Sequence, residues 1–265
     1  MERTIQKTIP VPADGRVTVD VYGDADPGSA GLVVVPGVMS DAHTWRHVAR
    51  AITAWPSVAV LNRRGRTPSS PLPRDHTLRT EVEDLLAVLD RLGGERTLFG
   101  WSYGGLIALT AATERPVRHV IAYEPVIAPF ARAELPALRA AAEGRDWDRS
   151  VDIVNTRVSG FAPDHVQALR ADRQGWSALR RLSEPLYAEL AALNASQPPE
   201  ALARRAERID LIIGEADQGT EPYGTSFDHV RQRLTAPRVQ VLPGQGHLAH
   251  VTGPALLART LDALA

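Results

Sequence analysis

The chain reads as an α/β protein, and three observations carry that reading. Short aliphatic runs of strand character recur along it, separated by longer segments with helical spacing. The runs Leu32-Val33-Val34-Val35 and Val58-Ala59-Val60-Leu61 are apolar throughout, as in strands buried on both faces. A Gly-x-Ser-x-Gly turn, Gly100-Trp101-Ser102-Tyr103-Gly104, stands at one of the strand-to-helix junctions. Strands alternating with helices predict a mostly parallel sheet covered on both faces, with ligands at the carboxyl ends of the strands.

Taken in order, Arg16 to Tyr22 alternates apolar and polar residues like a half-exposed strand, and Gly23 to Gly31 supplies turn residues, so an edge hairpin is expected here. The strand at Leu32 to Val35 follows, then a helical segment from Trp45 to Ala54, the strand at Val58 to Leu61, and a helix from about Leu78 to Leu92. Arg96-Thr97-Leu98-Phe99 forms the strand before the glycine turn, and Gly105 to Ala112 is rich in the small and aliphatic residues of a helix packed on a sheet. Further strands are read at Arg118 to Tyr123, Ile209 to Ile213 and Val239 to Leu242, and a terminal helix after Pro254. From Val126 to Arg208 the rhythm breaks into helices rich in Ala, Arg and Leu, with Pro198-Pro199 marking the return. The expected division is a core of residues 1–125 and 209–265 interrupted by a helical cap over 126–208.

Composition bounds the function. The 265 residues are 44% hydrophobic, enough for one large core, and the formal net charge of -1 offers no field to attract nucleic acid or an anionic membrane. No cysteine is present, which excludes disulfides, thiolate metal sites and cysteine nucleophiles and fits a reducing compartment. The first residues, Met1 to Lys7, lack the apolar stretch of a signal peptide, and no run approaches the roughly 20 apolar residues of a membrane span. A cytoplasmic protein with a small-molecule substrate is expected; the sequence does not reach oligomeric state. Lys7 is the only lysine, a compositional bias with no chemical consequence.

The chemistry centres on Ser102. Small residues two positions to either side let the chain turn sharply from strand to helix, leaving the serine oxygen at the tip and at a helix N-terminus, where unpaired N–H groups favour developing negative charge. Asp217 and His247 each follow a predicted strand, so both are expected on the same sheet edge as Ser102. Glu124, which closes the strand after the elbow helix, and Glu215 are the competing acids; His250 competes with His247. His43 and His47 have i, i+4 spacing, but without a further ligand nearby they suggest no metal site. The glycine turn has neither the dinucleotide fingerprint nor the P-loop ending, so no cofactor is implied. Arg63, Arg64 and Arg66 form the densest basic cluster and read as a solvated loop with local salt bridges, with binding of an oxyanion-bearing substrate as the lesser alternative.

With its serine, acid and histidine in the order Ser102, Asp217, His247, and with Asn62-Arg63-Arg64-Gly65-Arg66, Tyr123-Glu124-Pro125 and Gly246-His247-Leu248-Ala249-His250, the chain resembles a bacterial α/β-hydrolase fold protein over nearly its whole length. The resemblance implies a sheet of about eight strands with an inserted cap. It implies Ser102 as nucleophile, His247 as general base and Asp217 as its acid, with the amides of Val38 and Tyr103 holding the oxyanion. Two departures stand out: Pro36 replaces a common histidine before Gly37, and Asn62 replaces a common aspartate. Met39, Trp101 and Phe130 are candidates to line an acyl pocket, with Trp147 and Trp176 facing it from the cap or packing within it. Hydrolysis of an ester, lactone or thioester is the leading expectation. Non-hydrolytic chemistry on this fold (C–C cleavage, a lyase, a cyclase or a cofactor-free oxygenase) and a receptor-like binder with slow turnover remain alternatives. Epoxide hydrolase and haloalkane dehalogenase activities are disfavoured, since those enzymes resemble this fold with aspartate at the position of Ser102.

Overall fold

The computed structural model describes residues 4–23, 31–197 and 199–265. Eight strands form one sheet: β1 (Thr4–Val11), β2 (Gly15–Gly23), β3 (Gly31–Val35), β4 (Ser57–Asn62), β5 (Arg96–Trp101), β6 (Val117–Tyr123), β7 (Ala206–Gly214) and β8 (Arg238–Leu242). Their spatial order is β1-β2-β4-β3-β5-β6-β7-β8. The β1/β2 and β2/β4 pairs are antiparallel and all others parallel.

Pleating explains why β3 and β4 are apolar at nearly every position. Val33 and Val35 enter one core, which also holds Leu85 and Val88 of α2 (Leu78–Leu92) and Leu106 to Leu109, Ala111 and Ala112 of α3 (Tyr103–Glu114). Leu32 and Val34 enter the other, with Trp45, Val48 of α1 (Arg46–Ala51) and residues near the C-terminus such as Leu257 and Leu261. A strand with a helical layer on each face has no solvent side on which to place polar residues. α2 starts where the sequence expects, because the Thr77 hydroxyl accepts from the Thr80 amide and the Thr80 side chain answers the Thr77 amide, a reciprocal cap.

The edge hairpin is formed by β1 and β2 around residues 12–14, so the strand before Arg16, not the segment after it, supplies the partner. The turn read over Gly23 to Gly31 falls, for residues 24–30, outside the described residues. Between β6 and β7 lie α4 (Leu135–Glu143), α5 (Trp147–Ile153), α6 (Pro163–Ala171), α7 (Arg173–Ser183) and α8 (Leu186–Ala195), with no strand among the described residues. Pro198 lies outside the described residues, while β7 begins three residues before the expected Ile209. The chain finishes through α9 (Tyr223–Arg231), β8, α10 (Ala249–Thr252) and α11 (Pro254–Asp262). The parallel strands β5, β6, β7 and β8 all end on one edge, and Ser102, Glu124, Asp217 and His247 lie in the segments that follow them.

Candidate active site

Ser102 joins β5 to α3 with φ 57° and ψ -123°, a conformation that costs a non-glycine residue about 1–3 kcal/mol and persists only where its surroundings enforce it. Enforcement comes from both sides: the Ser102 amide donates to Tyr123 O at 2.9 Å, while its carbonyl accepts from Gly105 N at 2.9 Å and Val126 N at 3.3 Å. The flanking glycines are required by space. A Cβ at Gly104 would lie 2.0 Å from Val35 O, and one at Gly100 would lie 2.4 Å from Gly104 O. The loop after β3 packs directly on this turn, since a Cβ on Gly37 would approach the Ser102 Cβ to 2.8 Å. Val38 and Met39, half-buried, follow in that loop, and Met39 has φ 56°. Tyr103 opens α3, where the first amides of a helix have no intrahelical acceptor.

His247 follows β8 and is buried. Its loop is held by Trp101 Nε1 donating to His247 O and Tyr123 Oη donating to Gly246 O, both at 2.7 Å. The imidazole packs against the Trp101 ring at 4.8 Å between centroids and lies parallel to the Tyr223 ring at 3.5 Å. Trp101 packs under the histidine loop, among Trp45, His247 and His250. His250 lies in α10, buried and stacked on Trp45.

The acid facing His247 is Glu124. His247 Nδ1 and Glu124 Oε2 are 2.6 Å apart, and Glu124 Oε1 accepts from Gly214 N at 2.7 Å, so both carboxylate oxygens are used. Glu124 is wholly buried at φ 41°, with its amide donating to Ile212 O, which turns the side chain from the end of β6 across β7 to the histidine loop. Asp217, the acid expected from sequence, sits in the short turn after β7 and makes no hydrogen bond to the His247 ring among the described residues: its Oδ2 is buried beside Gly246 with no hydrogen-bond partner among them. Glu215 is exposed and accepts from the Gly244 amide. Burial pushes the Glu124 carboxyl up to about 7. Burial, with the Glu124 charge adding to it and the His247 charge opposing, pushes Asp217 up to about 6. Burial holds the His247 imidazole down at about 3, against a pull from Asp217, so the resting ring is neutral and can accept a proton.

The basic cluster is not a solvated loop. Arg63, Arg64 and Arg66 are all buried because each has a carboxylate partner: Glu81 and Glu189 for Arg63, Asp84 for Arg64, Glu189 for Arg66. Asn62 is structural, accepting from Ala42 N at 2.9 Å and donating to Thr18 Oγ1. Among the proposed pocket residues, Phe130 is buried 5.8 Å from the Tyr223 ring, whereas Trp147 is half-buried at the start of α5. Trp176 packs with Val151 and Val166, donates to Asp148 and has Arg170 over its ring; Met39 touches this cluster as well as the main core. His43 and His47 are exposed. Sequence reasoning missed Tyr223, whose stacking on His247 leaves no local pattern, and Glu189, which meets the arginines from 123 residues beyond Arg66.

An eight-stranded, mostly parallel sheet with a serine at a strained strand-to-helix turn and a buried histidine–carboxylate pair defines a hydrolase-like enzyme class. The alpha/beta hydrolase family model matches residues 32–260, and the chain belongs to that family. A RutD protein of Pseudomonas savastanoi pv. phaseolicola, which bears the name of a carbamate hydrolase, is 26% identical over 248 residues, covering 87% of this chain and 91% of its own. An alpha/beta hydrolase from Sphaerobacter thermophilus superposes with a TM-score of 0.76 at 25% identity, over 97% of this chain and 99% of that one. The enol-lactonase of Burkholderia xenovorans LB400 has a TM-score of 0.79 at 17% identity, over 97% and 98% of the two chains, a likeness of fold. No helix among the described residues is long and apolar enough to cross a membrane.

Proposed function

We propose that this chain is a serine hydrolase that cleaves an ester, lactone or thioester of a fairly apolar small molecule through an acyl-enzyme on Ser102. The observation that carries this reading is the 2.6 Å contact between His247 Nδ1 and Glu124, on a loop held by Trp101, the residue before the strained Ser102. Glu124, in place of Asp217, fills the acid role in this reading. With Nδ1 engaged by the carboxylate, Nε2 of the neutral imidazole is the atom left to take the Ser102 proton as the oxygen attacks the acyl carbon. The imidazolium then returns that proton to the leaving group; water repeats the sequence and frees Ser102. The amides of Val38 and Tyr103 stabilise the oxyanion in both halves, Val38 from the loop that abuts Ser102 and Tyr103 from the helix N-terminus.

In this reading residues 126–208 are a cap over the strand ends, and its apolar side chains, among them Val126, Ile127, Phe130, Val154 and Val158, share one cluster with Tyr223. The names borne by the relatives, a carbamate hydrolase and an enol-lactonase, denote acyl transfer to water and agree with this reading. Incubation with a fluorophosphonate followed by peptide mapping tests the proposal: the adduct is expected on Ser102 and lost in Ser102→Ala. An unlabelled wild type, or labelling at another residue, would overturn it.

A further inference from the structure

We propose that Arg63 positions the oxyanion amide of Val38, and that Glu189 makes this positioning depend on docking of the inserted helices onto the sheet. The proposal rests on Val38 being an oxyanion donor, as in the reading above. The Gly37 carbonyl and the Val38 N–H belong to one peptide unit, which is planar and trans, so the two groups point in opposite directions. Arg63 Nη2 donates to Gly37 O at 2.8 Å and Arg63 Nε donates to Pro36 O at 2.8 Å. One rigid guanidinium therefore holds two consecutive peptide planes, and fixing the Gly37 carbonyl on its side aims the Val38 amide to the other. A charged donor on that carbonyl also polarises the unit, strengthening the N–H as a donor. Arg66 extends the clamp, with Nε donating to Ser40 O at 3.0 Å. Pro36 has no amide hydrogen or polar side chain with which to brace the loop itself.

Two guanidinium groups buried this deeply need compensation. Glu81 supplies part of it from α2. The rest comes from Glu189 on α8, fully buried, with Oε1 2.7 Å from Arg63 Nη1 and Oε2 2.9 Å from Arg66 Nη2. Displacing α8 would leave Arg66 without its carboxylate and a surplus positive charge beneath the loop. The geometry of the oxyanion loop and the seating of α8 are thereby one event.

The test pairs Arg63→Lys and Glu189→Gln in the full chain, read by amide hydrogen exchange of the peptide spanning residues 36–40 and by steady-state hydrolysis of a p-nitrophenyl ester. Lysine keeps the charge but loses the planar fork. Exchange at 36–40 is expected to quicken about tenfold in the folded variant, and kcat to fall about 10- to 100-fold with KM within about threefold, because an oxyanion contact acts in the transition state. Glu189→Gln is expected to quicken exchange at the same peptide with a smaller loss of kcat. A lower melting temperature with wild-type exchange at 36–40 and wild-type kcat in both variants would reduce the arginines to packing and overturn the proposal. Should Arg63→Lys not fold, Glu189→Gln decides by the same readouts. A wild type inert to every ester would instead refute the hydrolase reading, while the exchange data would still decide the clamp.

Discussion

Glu124 and His247 meet at 2.6 Å although they lie 123 residues apart, one at the end of β6 and the other after β8. The contact spans β7, whose last residue, Gly214, donates its amide to the same carboxylate. A buried carboxylate with one oxygen on a backbone amide and the other on an imidazole is built to hold the ring in one tautomer and to stabilise the cation formed when the ring takes a proton.

The first expected outcome is a ranking. Glu124→Gln should lower kcat for an activated ester by about 10³- to 10⁴-fold, the scale of losing a triad acid. Asp217→Asn should cost less than about tenfold, since its carboxylate makes no hydrogen bond to the ring among the described residues. Steady-state kinetics on the two variants decide it, and the reverse order would return the acid role to Asp217.

The pH dependence follows from the same pair. His247, held down at about 3 by burial, stays neutral throughout the working range, so it sets no limb near neutrality. Glu124, pushed up by burial to about 7, carries its charge only above that pH, and kcat/KM should therefore rise through about pH 7 and level off. Stability runs the other way. A carboxyl whose folded pKa is raised binds its proton more tightly folded than unfolded, which favours the fold at low pH and is lost as pH rises through about 7. Glu124→Gln removes that loss, so its melting temperature relative to wild type should increase between about pH 5 and pH 8. A difference flat with pH would show that Glu124 is not raised.

Strain at the elbow predicts a stability gain on removing function. Glycine adopts φ 57° without penalty, so Ser102→Gly should be inactive yet more stable than Ser102→Ala by about 1 kcal/mol, a few degrees in a thermal melt. Equal melting temperatures would mean that the turn is unstrained.

Much of this architecture could be read from the residues alone because burial on both faces leaves an unmistakable pattern: β3 and β4 are apolar at almost every position, and the glycines of the elbow are dictated by contacts within one short turn. β1 escaped notice because it is an edge strand, largely exposed, with Thr, Gln, Lys and Pro among its residues. The acid was ambiguous for a different reason. Glu124 and Asp217 both follow strand ends, and which one reaches the histidine depends on the positive φ of Glu124, a property of its packing and not of its spacing. The arginine cluster misled because its counter-charges, Glu81 and Glu189, are 18 and 123 residues away from the arginines they bind.

Substrate choice should respond to Met39 more than to Trp176. Met39 touches both the main core and the small cluster of α5, α6 and α7, whereas Trp176 is spent on Asp148, Arg170 and that cluster. Met39→Ala should change the ranking of kcat/KM across acyl chains, with about 1 to 3 kcal/mol available per methylene recognised. Trp176→Ala should lower the melting temperature and leave the ranking unchanged; a reranking in Trp176→Ala alone would place the acyl site within the inserted helices.

The central claim is that Ser102 becomes acylated, and the most direct measurement is intact-mass and peptide analysis of the wild type quenched during the first turnovers of a slowly deacylated p-nitrophenyl ester. A stoichiometric acyl adduct on the peptide containing Ser102, absent in Ser102→Ala and formed far more slowly in Glu124→Gln, is the expected result. Turnover of the ester with no adduct on Ser102, or undiminished turnover in Ser102→Ala, would contradict the account.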